Sequence, residues 1–310
     1  MALHPIISFL TQETCFADHL SLQVALDRKT SFKCNAQAAA VFSPTHVDEV
    51  GLFLQKTAQA GFYYLQDFHV LGKGSNLLFR DGGYPGCLID LTRLNKIETI
   101  AKDQVWKLDA QAGVGMGRLL QLLRKDAYTG FEFVFGIPGS IGGGIRMNAG
   151  TPDGWFSQVL TQVQGFDAYG TYFTQAVGED DFLYRDFPFG TDKIITGGSF
   201  VFAKSTSEIV EKKIALAKVK RDRQPLSYPN FGSVFKNPKP AFAGALIEEV
   251  GLKGYRLGDA QISEQHANFM INHGKARFVD VEALIQTAQE KISQEKNIYL
   301  ETEVHILGEA

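Results

Sequence analysis

Residues Gly136–Gly150 read GIPGSIGGGIRMNAG, and this stretch decides how the chain is interpreted. Six of its fifteen residues are glycine, and Arg146 is its only charged residue. A turn needs about one or two glycines, so six in one stretch indicate a backbone that must approach another group closely. Consecutive main-chain amides without side chains form a concave site for an anion. We therefore interpret this stretch as an anion-binding loop.

Two further glycine loops precede this stretch. Gly72–Asn76, GKGSN, directly follows a predicted strand, but it is not a Walker loop, because Lys73 is followed by glycine instead of serine or threonine. Gly113–Gly117, GVGMG, lies between a predicted strand and a predicted helix. It lacks the final glycine of a dinucleotide fingerprint, so a simple turn is the favoured interpretation. Two glycine loops in one chain can hold the two phosphates of a dinucleotide from opposite sides.

The composition is that of an ordinary globular protein. The chain has 310 residues, of which 45% are hydrophobic and 21% charged, and its net charge of -3 predicts no basic surface for nucleic acid. Three cysteines at wide spacings favour neither a disulfide framework nor a CxxC site, and the seven histidines form no common zinc-binding pattern. The N-terminal residues lack a secretory leader, and no apolar stretch is long enough to cross a bilayer. We therefore expect a cytoplasmic protein that binds no metal.

The first third and the middle third of the chain predict different kinds of structure. A helix predicted over 43–61 precedes strands predicted over 62–72 and 87–91, and this order is typical of α/β structure. Strand patterns dominate the middle third, which predicts an antiparallel sheet with few helices. A long charged helix over 206–223 follows, and it suits a domain boundary near 205–222.

The last third mixes helix and strand. A helix predicted over 280–292 carries one apolar stripe, formed by Val281, Leu284, Ile285, Ala288 and Ile292. A strand predicted over 299–308 alternates, with Glu301 and Glu303 on its polar face. Two acids on such a face are normally solvated, so spacing alone assigns neither of them a catalytic role.

Two other segments carry candidate functional side chains. Asn230–Pro238, NFGSVFKNP, combines a turn with Ser233, Lys236 and Asn237, and a structural turn is as well supported as a site. Arg185 lies among aromatic residues in FLYRDFPF. Its guanidinium can stack on the rings, extend to solvent or bind a carboxylate, and periodicity does not choose among these.

Taken together, the ordered motifs resemble one family. The matching segments are VLGKGSNLLFRDGGYPGCLIDL, GIPGSIGGGIRMNAG, YRD, QPLSYPNFGSVFKNP, AGALIEEVGLKGYRLGDAQISEQHANFMIN and LETEVHILG, which extend from about residue 30 to the C-terminus. The chain is therefore similar to the UDP-N-acetylenolpyruvoylglucosamine reductases (MurB), flavoenzymes of bacterial cell-wall precursor synthesis. It has no additional loop with a substrate-capping tyrosine, so it resembles the loopless (type II-like) subtype.

The resemblance implies an α+β fold in three parts. Residues 1–92 are expected to form a first FAD-binding subdomain of α/β type, and residues 93–205 a second, mainly antiparallel one, as in the vanillyl-alcohol-oxidase (PCMH) fold. Residues 206–310 are expected to form a smaller α+β substrate-binding domain whose final strand returns toward the active site. The resemblance also implies non-covalent FAD, NADPH as the reductant and UDP-N-acetylglucosamine-enolpyruvate as a small-molecule substrate. We expect a monomer with no nucleic-acid or membrane partner.

The resemblance further assigns roles to residues of this sequence. Ser233 is expected to donate a proton to carbon, while Arg185 and Glu303 are expected to face the substrate carboxylate, with Glu303 protonated or sharing a proton. The expected cofactor-binding residues are Gly72, Gly74, Ser75, Asn76, Leu77, Ile137, Pro138, Gly139, Ser140, Ile141, Gly142, Gly143, Asn148, Ala149 and Gly150. The expected substrate-binding residues are Tyr184, Lys236 and Asn237.

Three segments depart from the family pattern. The family usually continues NAG with AYG, but TPDGW stands here, so an aromatic contact is expected to be lost or moved. Phe187 replaces the serine of a YRxS pattern, and TSFKCNAQA at 30–38 lacks a double glycine. Two alternative functions remain: another FAD-dependent oxidoreductase of the same fold, and a non-enzymatic module that binds uridine nucleotides.

Overall fold

The computed structural model describes residues 4–309. Its α-helices are α1 (Pro5–Gln12), α2 (Val47–Gln59), α3 (Met116–Lys125), α4 (Ile141–Arg146), α5 (Ser207–Arg221), α6 (Ala243–Glu249) and α7 (Phe278–Lys296). Its strands are β1 (Leu20–Ala25), β2 (Gln37–Phe42), β3 (Phe68–Leu71), β4 (Leu77–Phe79), β5 (Tyr84–Asp90), β6 (Ile97–Lys102), β7 (Val105–Gln111), β8 (Tyr128–Thr129), β9 (Gly150–Thr151), β10 (Gly154–Trp155), β11 (Leu160–Phe166), β12 (Tyr172–Ala176), β13 (Ile194–Lys204), β14 (Asn230–Ser233), β15 (Arg256–Leu257), β16 (Ala260–Ile262), β17 (Phe269–Asn272) and β18 (His305–Leu307). This mixture of helices and strands confirms the predicted α+β class.

The chain divides into two compact units. The first unit contains the residues up to Leu22 together with Ala40–Lys73 and Gly86–Val219. The second unit contains Gln23–Ala39, Gly74–Pro85 and the residues from Lys220 onward. The expected boundaries at 92 and 205 remain a prediction. Among the helices within residues 4–309, none combines the length and apolar character required to cross a membrane.

An antiparallel sheet organises the first unit. Its strands follow the order β12-β11-β13-β7-β6, and β8 also pairs with β13. Alternate residues of β7 point inward, so that Trp106, Leu108 and Ala110 are buried. Below them the rings of Phe131 and Phe156 meet edge to face at 5.2 Å between centroids. The predicted antiparallel middle third is therefore confirmed, and its phenylalanines form the core.

Helix α2 belongs to the first unit and begins with a reciprocal cap. The Glu49 carboxylate accepts hydrogen bonds from the main-chain N–H groups of Thr45 (2.7 Å) and His46 (3.3 Å). The spacing of Thr45 and Asp48 predicts a capping box, and the structure corrects its acid to Glu49, because the helix starts at Val47. A separate sheet in the order β1-β2-β5-β3 contains the parallel pair β3 and β5.

The second unit combines a small sheet with α7. Its strands follow the order β14-β17-β16-β15, and α7 packs against β15 and β16 through the predicted apolar stripe, all of whose residues are buried. The strand predicted over 299–308 is shorter, since only β18 is regular and pairs in parallel with β4. Upstream, Thr302 forms an isolated bridge with Phe235. This bridge draws the preceding residues toward β14 instead of extending the strand.

The N-terminus of α7 is capped by a residue distant in sequence. The Asp81 carboxylate accepts hydrogen bonds from the N–H groups of Phe278 (2.8 Å) and Val279 (3.3 Å). The Arg80 guanidinium lies 4.7 Å from the centroid of the Phe278 ring. The loop before β5 therefore supplies the acceptor that the first turn of α7 lacks locally.

Replacing Asp81 with alanine is predicted to destabilise the protein, because the first N–H groups of α7 lose their acceptor. Loss of a helix cap costs about 0.5–2 kcal/mol. Asp81→Asn keeps one acceptor oxygen and should lose less. Urea unfolding of both variants measures the difference in the free energy of unfolding, and equal stability of Asp81→Ala and the parent chain would contradict the cap.

Candidate active site

The glycines of the 136–150 segment are required mainly by the fold. Gly136 and Gly139 have φ values of 70° and 150°, in the region that favours glycine. At Gly150 a β-carbon would collide with the main-chain oxygen of Gly154 and the Trp155 ring. The fold alone therefore explains these three glycines. The anion-binding interpretation of this segment is needed only for its other glycines.

Three successive glycines form part of α4, the short helix within this segment, and they have different surroundings. A β-carbon on Gly142 would lie 2.7 Å from the Ala112 β-carbon, and one on Gly144 would penetrate the Phe156 ring. A β-carbon on Gly143 would find its nearest heavy atom, a serine Oγ, 3.9 Å away. Gly143 is also exposed. Within α4, Gly143 is thus the glycine whose missing side chain leaves open space.

All three glycine loops meet at Ser140 within the first unit. Gly115 pairs with Ser140 in an antiparallel bridge, in which the Ile141 N–H donates to the Val114 oxygen at 2.8 Å. A β-carbon on Gly72 would lie 2.8 Å from the Ser140 Oγ. The GVGMG loop is therefore more than the simple turn predicted from its sequence. It pairs with Ser140, the residue that Gly72 of the GKGSN loop also approaches.

The remainder of the first loop belongs to the second unit, where it contacts the C-terminal segment. Gly74 has a φ of 58°, and a β-carbon there would collide with the main-chain oxygen of Lys29. The Asn76 side-chain amide donates to the main-chain oxygen of Glu303 at 3.0 Å, and the His305 N–H donates to the Asn76 oxygen at 3.1 Å. Ser75 precedes this link, and Leu77 opens β4. Asn76 therefore holds the segment that carries Glu303.

Arg185 lies against the end of the glycine segment in the first unit. Its Nη1 donates to the Gly150 oxygen at 3.0 Å. Its Cζ lies 5.3 Å from the Trp155 ring centroid and 5.6 Å from that of Tyr184. Trp155, from the departing TPDGW segment, thus supplies an aromatic contact at this place. The structure therefore combines the stacking and polar roles that the sequence left open for Arg185.

Asn148 is almost fully buried and links two distant segments. Its Oδ1 accepts a hydrogen bond from the Ser157 N–H at 3.1 Å, and its Nδ2 donates to the Leu183 oxygen at 3.3 Å. Phe187, which replaces the family serine, is completely buried and stacks on Phe182 at 4.3 Å between centroids. Asn148 therefore fixes the approach to Arg185, and Phe187 anchors the residues that follow it.

The second unit brings the Ser233 and Glu303 segments together. The Glu303 N–H donates to the Val234 oxygen at 2.7 Å, and the Lys236 N–H donates to the Glu301 oxygen at 2.9 Å. The Lys236 ammonium also pairs with the Glu301 carboxylate at 2.7 Å. Main-chain pairing therefore places the residues flanking Ser233 beside those flanking Glu303, although about seventy residues separate them in the sequence.

A cavity of about 370 Å³ in the second unit opens beside Ser233. Its lining residues are Ser233, Asn237, Phe242, Gly244, Ala245, Glu248, Gln265, His266, Ala267 and Asn268. The Asn237 Oδ1 accepts the Ala243 N–H at 3.0 Å, which caps α6. Burial lowers the pKa of His266 below its ordinary value, so this ring is neutral at pH 7.

Sequence reasoning missed His266 and Asn268 as residues of this cavity. The Asn268 side chain bonds both main-chain groups of Phe235, accepting from its N–H at 3.0 Å and donating to its oxygen at 2.8 Å. The polar stretch SEQHAN, between two apolar strands, was the available signal. Asn268 thereby holds the segment after Ser233 in place.

The predicted site residues thus assemble in two groups. The first unit holds Arg185 and Tyr184 together with Gly72, Gly143, Ser140 and Asn148 and their neighbours. The second unit holds Ser233, Lys236, Asn237 and Glu303 together with Gly74, Ser75, Asn76 and Leu77.

Comparisons with known proteins match two consecutive parts of the chain and most of its length. An FAD binding domain model matches residues 38–175, and a model of the UDP-N-acetylenolpyruvoylglucosamine reductase C-terminal domain matches residues 224–307. The UDP-N-acetylenolpyruvoylglucosamine reductase of Syntrophus aciditrophicus is 35% identical over 300 residues, which cover 96% of this chain and 95% of that relative. This chain belongs to the UDP-N-acetylenolpyruvoylglucosamine reductase family. The reductase of a Streptococcus pneumoniae strain is 37% identical over 243 residues, covering 78% and 79% of the two chains.

A solved structure of the same family confirms the fold. The UDP-N-acetylenolpyruvylglucosamine reductase of Thermus caldophilus aligns with a TM-score of 0.76 and 29% identity, covering 93% of this chain and 98% of that one. The predicted order, an FAD-binding fold followed by the reductase C-terminal domain, is therefore confirmed. The loopless subtype remains a prediction.

Alanine is predicted to change the free energy of unfolding differently at the adjacent residues Gly143 and Gly144 of α4. Gly144→Ala should destabilise the protein by about 1–3 kcal/mol, because the new methyl group overpacks the buried Phe156 ring. Gly143→Ala meets open space in a helix and should leave the free energy of unfolding unchanged or raise it by up to about 1 kcal/mol. Thermal unfolding of the flavin-free variants checks the pair, and similar losses at both positions would contradict the assigned packing.

Proposed function

We propose that this chain reduces UDP-N-acetylglucosamine-enolpyruvate to UDP-N-acetylmuramate, with FAD as its cofactor and NADPH as the reductant. The observation that carries the proposal is the main-chain pairing of the Ser233 and Glu303 segments beside a cavity. This pairing occurs in a chain that aligns with a named reductase over 96% of its length. We further propose that the protein acts in the cytoplasm as a monomer.

FAD fits the residues of the first unit. The three glycine loops meet at Ser140, and Gly143 leaves the main chain of α4 exposed with no side chain over it. Main chain of this kind accommodates a phosphate or a flat ring at close range. FAD held there would supply the redox chemistry, which is acceptance of hydride from NADPH and its transfer to the terminal enolpyruvyl carbon. The residues proposed to hold it are Gly72, Gly74, Ser75, Asn76, Leu77, Ile137, Pro138, Gly139, Ser140, Ile141, Gly142, Gly143, Asn148, Ala149 and Gly150.

Ser233 is proposed as the proton donor to the carbon beside the substrate carboxylate. It is half-buried at the end of β14, and it lines the cavity. A serine hydroxyl is a weak acid, so it must be held close to a strongly basic, enolate-like carbon. The Asn268 contacts to Phe235 and the Glu303 contact to Val234 provide the required rigidity.

Arg185 and Glu303 are proposed to act on the carboxylate end of the substrate. Negative charge grows there as hydride arrives, and a fixed guanidinium stabilises it. An ionised Glu303 would oppose that charge, so we propose that Glu303 is protonated or shares a proton with the substrate. Tyr184, Lys236 and Asn237 are proposed to bind the rest of the substrate, with Lys236 exchanging its Glu301 partner for an anionic group.

Gly143→Ala is predicted to lower the flavin content of the purified protein, because its methyl group projects from the main chain proposed to face FAD. The absorbance of bound flavin per chain measures this loss. Gly178→Ala is the matched control, since Gly178 is exposed, has extended backbone and would meet no atom within 4 Å. A Gly143→Ala protein with full flavin content would exclude close contact at this position.

Ser233→Ala is predicted to separate the two halves of the reaction. NADPH should still bleach the flavin at the parent rate, whereas the enolpyruvyl nucleotide should restore its colour about 10²–10⁴-fold more slowly, because the proton donor is missing. Anaerobic stopped-flow absorbance measures both steps.

Ser227→Ala is the control for this experiment, because Ser227 is an exposed serine of the same unit. Normal reoxidation of the Ser233→Ala flavin would refute the proton-donor role. A parent protein that binds no flavin, or whose reduced flavin never responds to the nucleotide, would refute the proposed function itself.

A further inference from the structure

We propose that Ser31 is a positioning residue that holds Ser233, the proposed proton donor, at a fixed place relative to the loop Gly74–Asn76. Ser31 lies in TSFKCNAQA, one of the segments that depart from the family pattern. The inference rests on the proposed function, because that loop is proposed to hold FAD and Ser233 to act on the substrate. Ser31 acts through β14, the strand that carries Ser233, and not by touching either molecule.

Strand β14 does not fix the orientation of Ser233 by itself. It lies at one end of its sheet, where β17 is its neighbour. The pairing of these two strands has a register shift between Asn230 and Ser233, and Gly232 within this irregular part has a φ of 83°. A bulge of this kind bends a strand locally and can redirect a side chain. Ser233 therefore depends on further contacts for a single orientation.

Ser31 supplies one of these contacts. Its Oγ donates to the main-chain oxygen of Asn230 at 2.6 Å, although the two residues lie 199 positions apart in the sequence. Its main-chain N–H donates to the Gly74 oxygen at 3.1 Å. The Oγ also lies 3.4 Å from the Gly74 oxygen, but a hydroxyl has one proton, and the shorter distance assigns it to Asn230. Ser31 thus joins the first residue of β14 to the first residue of the loop.

The residues around Ser31 are held in place by packing. The Phe32 ring is buried 5.1 Å from the ring of Phe231 in β14, measured between centroids. The Phe32 oxygen accepts a hydrogen bond from the Asn272 Nδ2 at 2.9 Å. Gly74 leaves no room for a β-carbon beside the main chain that precedes Ser31. The direction of the Ser31 hydroxyl is therefore set by its surroundings.

The opposite end of β14 is connected to the same loop by a second route. The Asn76 side-chain amide donates to the Glu303 oxygen, and the Glu303 N–H donates to the oxygen of Val234, which follows Ser233. The loop is thus connected to the chain on both sides of Ser233, at Asn230 and at Val234. One connection would let the bulged strand pivot, whereas two fix the place of Ser233 between them.

Loss of the Ser31 hydroxyl should affect catalysis more than folding. Ser31 and Asn230 are both half-buried, so a water molecule can replace the hydroxyl at the Asn230 oxygen. Such an exchange changes the free energy of unfolding little. Displacement of a reacting group by about 1 Å can nevertheless slow a reaction about 10²-fold. We therefore expect a loss confined to the step that uses Ser233.

The experiment compares Ser31→Ala with the parent flavoprotein in both halves of the reaction. We expect the enolpyruvyl nucleotide to reoxidise the flavin about tenfold more slowly, because Ser233 is misplaced. Flavin content, flavin reduction by NADPH and affinity for UDP-N-acetylmuramate should change less than about twofold, since none of them uses proton transfer. Ser31→Thr keeps the hydroxyl and should restore the reoxidation rate. Anaerobic stopped-flow absorbance measures both steps.

A double variant tests whether Ser31 acts through Ser233. In a Ser233→Ala protein no hydroxyl is left to position, so adding Ser31→Ala should slow reoxidation by less than about twofold more. A further tenfold loss would show that Ser31 positions another group and would overturn the inference. If Ser31→Ala retains too little flavin to measure, Ser31→Cys replaces it, because a thiol is a weak donor. The inference then requires Ser31→Thr to be reoxidised faster than Ser31→Cys.

Thr287→Val is the matched control, because it removes another hydroxyl that donates to a main-chain oxygen, that of Ala283 at 2.7 Å, in α7 of the same unit. It should keep the parent rates. If Ser31→Ala is reoxidised at the parent rate, or loses reduction and reoxidation equally, the inference is wrong while the proposed function stands. If the enolpyruvyl nucleotide does not reoxidise the parent flavin, the proposed function fails first.

Discussion

The close approach of main chain to main chain around Ser140 is the constraint on which the site in the first unit depends. Gly115 can bridge Ser140 and Gly142 can lie against Ala112 only because no β-carbon stands between the segments. Missing side chains thus act first by letting three loops meet and only secondarily by exposing main chain to a ligand. Most of the glycines of this segment are accounted for by packing or backbone conformation within the chain, and in α4 it is Gly143 whose missing β-carbon leaves open space.

Asparagine side chains hold together the irregular segments that carry the proposed functional residues. Asn76 ties its loop to Glu303, Asn148 joins Ser157 to Leu183, and Asn268 bonds both main-chain groups of Phe235. An amide carries both a donor and an acceptor, so one side chain can satisfy two main-chain groups of an irregular segment. Residues expected from the family to touch a cofactor, such as Asn76 and Asn148, thus have a demonstrable structural use within the chain.

The sequence predicted those features that depend on local periodicity. The stripe of α7, the long charged helix α5 and the antiparallel strands of the middle third all follow from patterns within single elements. Helix α4 was not predicted, because glycine has low helix propensity and three of its six residues are glycine. The pairing of GVGMG with Ser140 and the shortening of the last strand depend on partners far away in the sequence, which a local pattern does not contain. The candidate site came from ordered motifs, so residues outside them, such as His266, were missed.

Arg185 is where local preference and the fold disagree most clearly. Its turn position favours glycine, and neighbouring residues hold the turn in place. Asn148 donates to the Leu183 oxygen before Arg185, Arg146 donates to the Phe187 oxygen after it, and the Phe187 ring is buried. Contacts near Arg185 also explain two of the departures from the family pattern. Phe187 exchanges a polar contact for burial against Phe182, while Trp155 adds an aromatic face beside the guanidinium. A chain that holds an arginine in a backbone conformation suited to glycine retains a charge there at a conformational cost, and such local inconsistencies are expected at functional sites.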